Sequence, residues 1–182
     1  MTNRCVLQAA LLLCFSITAL SIRYDLLQLQ QSWSSLESQK LLLQLNGTTQ
    51  LCLDDRMDFK VPEEIMEPQF QKEDTAIIMY EMLQNIFDVF RKNFSSTGWN
   101  KTIVETIYGE VNEQMVHLKT VLEEEHSTWR TRMTIIHLKR YYRRIRRYLE
   151  NREYSSCAWK VVQAEMLRNF SFIKRLTDVF QN

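Results

Sequence analysis

Residues 141–159 read YYRRIRRYLENREYSSCAW and join two helices through a short polar turn. Tyr141, Tyr142, Ile145, Tyr148 and Leu149 recur at intervals of three and four, with arginines between them, which is the spacing of one apolar helix face. The period stops between Asn151 and Ser156. Ser155, two residues before Cys157, is placed to accept a free backbone N–H of the next helix. The segment therefore specifies helix, turn, helix.

Working back towards the N-terminus, the same period recurs. Ile103, Ile107, Val111, Leu118 and Val121 or Leu122 mark a helix over 100–125, whose last residues Glu123 to Glu125 oppose the helix dipole and predict fraying. Ile77, Tyr80, Leu83, Phe87 and Phe90 make an inner stripe on a helix capped by Asp74, ended by Ser95, Ser96 and Gly98. Leu26, Leu29, Trp33, Leu36 and Leu43 alternate by three and four, interrupted at Lys40, so a first helix spans 25–45 and closes at Asn46-Gly47. Between these two, residues 48–72 hold no period and carry Pro62 and Pro68. So long a connection lets the second helix run parallel to the first, because antiparallel neighbours need only about 2 to 8 residues. Towards the C-terminus, helices over 133–149 and 156–179 follow, the last burying Val162, Met166, Phe170 and Ile173. Met and aromatic residues on the stripes are read as core. With three glycines and two prolines the chain lacks the turns of a β-sandwich. No stripe persists beyond about four heptads, so a long coiled coil is not expected.

Arg4, the apolar run from Cys5 to about Phe15, and Ala19-Leu20-Ser21 form a secretory leader over residues 1–21. The run is shorter than the roughly 20 residues that span a bilayer, so no membrane insertion is expected. Residues 22–182 form one domain with 22 basic and 22 acidic residues. Any electrostatic role must come from the placement of charge rather than its sum. Cys5 and Cys14 leave with the leader, and Cys52 and Cys157 remain. In an oxidising compartment these two are expected to pair, the alternative being two unpaired buried thiols.

The order Tyr-Tyr, Ile145, Tyr148-Leu149, then Cys157-Ala158-Trp159 resembles the signature of the type I interferons. CLDDRMDF (52–59), QFQKED (69–74), EMLQNIF (81–87), FSSTGWNKTIVE (94–105) and HLKTVLEE (117–124) extend the resemblance over 22–182 and narrow it to one branch of that family. It implies an all-α fold: a five-helix cytokine bundle, an up-up-down-down four-helix core plus an extra helix, with a long overhand connection between the first two helices. It implies the Cys52–Cys157 bond as well. The family's members bridge the two chains of the type I interferon receptor and so bring the attached tyrosine kinases together, switching on antiviral and antiproliferative genes.

The resemblance assigns residues to both receptor chains. For the high-affinity chain these are Leu53 and Arg56 in the connection and Arg168 in the last helix. The helical wheel places Ala164, Leu167 and Ser171 beside Arg168 on the outer face, with Lys160. Gln163 departs from the family, where many relatives carry Arg, so one charge contact is missing. For the low-affinity chain the helix over 133–149 presents Lys139, with Arg140 and Arg143 near it. Its run of cations (Lys139, Arg140, Arg143, Arg144, Arg146, Arg147) also admits two other readings, a solvated face and a sulfated-glycan site. Nucleic acid is not expected, since that face has no stacking aromatics.

Sequons stand at Asn46, Asn93, Asn100 and Asn169. The position of Asn100 matches the family's glycosylated asparagine. Asn169 lies about 60 degrees from Met166 on the wheel, beside the core, and is expected to be poorly used. No catalytic residue, cofactor or metal site is expected. Phosphate loops, GxSxG and HExxH are absent, and His117, His126 and His137 lack ligand spacing. The expected protein is a secreted, glycosylated, monomeric helical cytokine.

Overall fold

The structure is a computed structural model and describes residues 2–45, 52, 57–122 and 128–181; within 2–21 only the side chains of Val6 and Gln8 are described. Its helices are α1 (Thr2–Gln44), α2 (Glu63–Met66), α3 (Lys72–Phe90), α4 (Lys101–Lys119), α5 (Trp129–Asn151) and α6 (Ser156–Thr177), with 3-10 turns at Ser95–Thr97 and Asp178–Gln181. Five are long, and α2 is a single turn within the connection. Among the described residues there is no strand. Among the described residues no helix is long and apolar enough to cross a membrane. Gly47, Leu53, Arg56, Glu123 to Glu125 and His126 lie outside the described residues.

Side-chain contacts set the helix directions. Tyr24 bonds Glu73 at 3.3 Å, and α4 runs against α3, with Tyr108 at Phe87 and Lys119 at Tyr80, as it does against α1, so α1 and α3 are parallel, the relation that the long connection permits. α4 runs against α1, because Arg23 reaches the carbonyl of Thr120 while Gln31 donates to that of Gln114. α6 also opposes α1: Tyr24 packs on Phe180, and Gln163 reaches Leu42 and Leu45. α5 lies along α3 in the same sense, with Asp74 at Thr128, Glu81 at Lys139 and Asn85 at Arg146.

The caps are chemical. Asn100 accepts from Thr102 N–H at 2.9 Å, Thr128 from Thr131 N–H, and Ser155 from Ala158 N–H at 3.3 Å, as expected of Ser155. Asp74 does not cap α3, which starts after Gln71. Instead its carboxylate accepts from the backbone N–H and hydroxyl of Thr128, at 3.4 and 3.2 Å, and ties the start of α5 to α3.

Tyr141, Tyr142, Ile145, Tyr148 and Leu149 are buried, as are Val162, Met166, Phe170 and Ile173. On α3, Leu83 and Phe90 are buried but Ile77, Tyr80 and Phe87 are half-buried; Ala76, Ile78, Met79, Met82, Ile86 and Val89 complete the core. This helix touches α4, α5 and α6, so a one-sided stripe underestimates what it buries.

The largest departure is on α1. Leu26, Leu29, Trp33, Leu36 and Leu43 face solvent, and Trp33 is 66% exposed. The inner side combines Leu27, Leu41, Leu42 and Leu45 with Gln31, Ser34, Ser35 and Ser38. Partner chemistry on α4 explains the inversion. Gln114 is fully buried, accepts from the Ser35 hydroxyl at 3.3 Å, donates to that of Ser38 at 3.2 Å, and takes the Gln31 amide on its carbonyl at 2.9 Å. The groups paired in this way are buried at little cost, although the Gln31 Oε1 oxygen is buried without a hydrogen-bond partner among the described residues. Periodicity therefore located the helix but assigned its inner face to the wrong side.

Candidate functional site

The connection after α1 is anchored at three places. Cys52 bonds Cys157 in the first turn of α6, with Cα atoms 5.3 Å apart, and closes a 105-residue separation. Arg144 donates to the carbonyls of Phe59 and Lys60, each at 2.8 Å, and Phe59 packs edge-on against Tyr148. His137 Nδ1 lies 2.8 Å from a Glu64 carboxylate oxygen. The arginine run had given no sign of Arg144's anchoring role, because its acceptors are backbone carbonyls more than 80 residues away.

On α6 the outward residues are those the wheel places there. Ala164, Arg168 and Ser171 are exposed, and Leu167 and Lys160 are half-buried. Arg168 lies 3.9 Å from the Glu165 carboxylate and 5.4 Å from the centre of the Phe172 ring. Asp58, two residues after Arg56, is held below the usual carboxylate range, first by hydrogen bonds from Lys60 and then by the fields of Lys60 and Arg168. Gln163 takes a different part: its amide donates to the carbonyls of Leu42 and Leu45, at 2.5 and 3.1 Å, and caps the end of α1.

The cations of α5 divide. Lys139, 3.7 Å from Glu81, and Arg143 line an open groove against α3 with Glu81, Asn85, Asp88 and Arg146. Arg146 donates to Asn85 at 3.1 Å. Arg140 instead lines a second concavity with Lys60, Glu64, His137 and Arg144, beside the connection. Thus Lys139 and Arg143 share a surface that Arg140 does not join.

Asn93 and Asn100 are exposed, and each uses its side-chain oxygen to accept a backbone N–H two residues on, from Ser95 and Thr102. Their segment is braced beneath by Phe90, Phe94, Trp99 and Trp159, with the Trp159 N–H donating to the carbonyl of Asn93 at 2.8 Å. Asn46 lies outside the described residues. Asn169 is 1% exposed. It accepts from the Tyr142 hydroxyl and donates to that of Tyr141, both at 2.5 Å, and its amide also reaches the Glu165 carbonyl. Burial pushes both phenols well above their ordinary range, with the Glu165 carboxylate adding to it, so they remain donors. A glycan on Asn169 would dismantle this network. Asn169→Ala is expected to lower stability by about 2 to 3 kcal/mol in a thermal melt, by stranding buried hydroxyls. Asn169→Gln is expected to leave the mass of any attached glycan unchanged, whereas Asn100→Gln is expected to reduce it.

Among the described residues no cluster of His, Cys, Asp or Glu is arranged to hold a metal. Parallel first and second long helices and a long connection pinned to the last helix define the helical cytokine fold. The family model for the interferon alpha/beta domain matches residues 27–180. Interferon beta from Homo sapiens is 58% identical over 187 aligned residues, and that from Mus musculus 55% over 185, each covering the whole of both chains. In fold, the chain is similar to zebrafish interferon 2, with a TM-score of 0.68 at 21% identity over 79% of this chain and 97% of that one. Zebrafish interferon 1 gives 0.66 at 17% over 81% and 94%. The chain belongs to the interferon alpha/beta family.

Proposed function

We propose that residues 22–182 act outside the cell, after removal of residues 1–21, by bridging the two chains of the type I interferon receptor. The protein performs no bond chemistry in this role. It holds two faces at a fixed separation, so that the receptor chains and their kinases come together. The high-affinity face consists of Leu53 and Arg56 in the connection with Ala164, Leu167, Arg168 and Ser171 on α6. The low-affinity face is the groove of Lys139 and Arg143 against α3, and Arg140, which the notion of one basic patch had grouped with them, would contribute from the neighbouring concavity beside the connection.

The observation that supports this reading is the Cys52–Cys157 bond, which holds the connection to the first turn of α6 with Cα atoms 5.3 Å apart, on the helix whose outer face carries Ala164, Leu167, Arg168 and Ser171. An apolar side chain among arginines is the composition of an interface hot spot. Glycans on Asn93 and Asn100 would cover the connection between α3 and α4, and Asn46 is a further acceptor. The test is a reporter assay on cells with and without each receptor chain. Response must vanish when either chain is deleted.

Arg140, Arg143 and Arg147 favour a second reading. They are exposed and form no ion pair among the described residues, so a sulfated glycan has free cations to meet. Cell binding that persists without both receptor chains and is abolished by salt would assign the site to glycan.

A further inference from the structure

The exposed residues of α1 follow a rule stricter than amphipathicity. Leu26, Leu29, Trp33, Leu36, Lys40 and Leu43 fall at successive steps of three and four, the a and d positions of consecutive heptads, and Ile22 extends the series by one position. All but Lys40 are apolar, and their exposure ranges from 38% at Leu36 to 66% at Ile22 and Trp33. Scattered apolar residues are ordinary on a surface, but a continuous apolar line of this length is not. Lys40 does not break the line electrostatically: it pairs with Glu37 at 3.2 Å and lies 5.5 Å from the centre of the Trp33 ring. A repeat of 3.5 residues matches the seam of another helix rather than a flat surface or an extended segment.

We infer that this seam pairs with the same seam of a second copy of the chain, the two α1 helices running antiparallel. The register follows from the residues. With the two-fold axis level with the Ser34–Ser35 step, Leu26 meets the partner's Leu43, Trp33 meets the partner's Leu36, and Leu29 meets the aliphatic stem of the partner's Lys40. Every layer is then apolar, and the lysine ammonium reaches water past the seam. A parallel pair in register would put the two Lys40 side chains in one layer, like charge against like charge, which selects the antiparallel sense. At the exposures found, the seam offers on the order of 600 Å² per copy, about 1,200 Å² in a pair, the lower end for a specific interface. The contact is isologous, so it closes at two copies and does not propagate into a filament. Its size fits half-association in the micromolar range, a reversible pair rather than an obligate one. The residues of this surface had been read as core, and the expectation of a monomer was made without it.

The inference stands apart from the receptor reading, and sedimentation of the secreted protein tests it without any receptor present. A concentration-dependent dimer is expected below about 100 µM, with Trp33→Glu raising the dissociation constant at least about tenfold. Residue 33 is exposed, so this variant should keep its circular dichroism and melting temperature. Mixing Leu26→Cys chains with Leu43→Cys chains under mild oxidation should give crosslinked pairs of one of each, and neither variant should crosslink with itself. A parent that stays monomeric to about 100 µM overturns the pairing. So does a dimer indifferent to Trp33→Glu. Self-crosslinking of Leu26→Cys overturns the antiparallel register. A monomeric parent whose Trp33→Glu variant loses receptor binding would make the seam a receptor contact instead, while the receptor reading survived.

Discussion

Arg168→Ala is expected to weaken binding to the high-affinity receptor chain by about 1 to 4 kcal/mol, the range of hot-spot truncations, and to leave the melting temperature nearly unchanged. The two halves of this expectation have separate causes. Within the fold, Arg168 makes a 3.9 Å approach to Glu165 and a ring contact with Phe172, and its side chain is 47% exposed. Exposed pairs of this kind contribute little to stability, typically under about 1 kcal/mol. At an interface the same guanidinium is desolvated against a partner and its loss leaves that partner unpaired, which is where the larger cost arises. Arg56→Ala should behave in the same way. Surface plasmon resonance on the isolated receptor chain together with a thermal melt separates the two effects. Unchanged affinity in both variants would remove these residues from the site.

The double substitution Cys52→Ser, Cys157→Ser is expected to have the largest effect on stability, up to about 4 to 5 kcal/mol for a loop of this length. It removes both cysteines, so no free thiol remains to confuse the result. It should also weaken receptor binding at temperatures where the variant is still folded. Leu53 follows Cys52 directly, and the bond holds Cys52 at the first turn of α6. Without the bond, the connection keeps its anchors at Arg144 and His137, but the stretch before Phe59 must be ordered at the moment of association, which costs affinity. Urea denaturation and binding at 15 °C measure the two losses independently. A variant matching the parent in both would refute the brace.

Much of the fold was legible because the signals that mark it are local. A three-four alternation, a Ser at a cap, and a long prolyl stretch between two helices act within a few residues of themselves, and the helices over 133–149 and 156–179 appear where that reading puts them. The outer face of α6 was legible for the same reason: Val162, Met166, Phe170 and Ile173 fill one side, so Ala164, Arg168 and Ser171 must lie on the other. Helix boundaries were less secure. Asp74 has the chemistry of a cap, yet the distant Thr128 claims its carboxylate, and nothing near residue 74 announces that.

The candidate site was only partly readable. Lys139, Arg140 and Arg143 are nearly adjacent in sequence, but the groove against α3 takes Lys139 and Arg143 while the connection draws Arg140 to the other side. Gln163 was read only for the charge it lacks, and spacing gave no sign that it donates to the last carbonyls of α1. Each of these depends on which backbone or carboxylate lies across from the side chain, and that is fixed by packing rather than by spacing.

The amino-acid order alone determined that this protein is helical and where its long rods lie to within a few residues, apart from the start of the first, and it allowed the first two to run parallel. These properties rest on periodicity, chain length and residue chemistry within single segments. Tertiary structure decided which side of α1 is inside. Period cannot distinguish the two sides of a helix when one carries leucines and the other carries glutamine and serine, because burial goes to whichever side finds its partners. Gln114 on α4 supplies those partners, and the leucines and Trp33 are left facing outward.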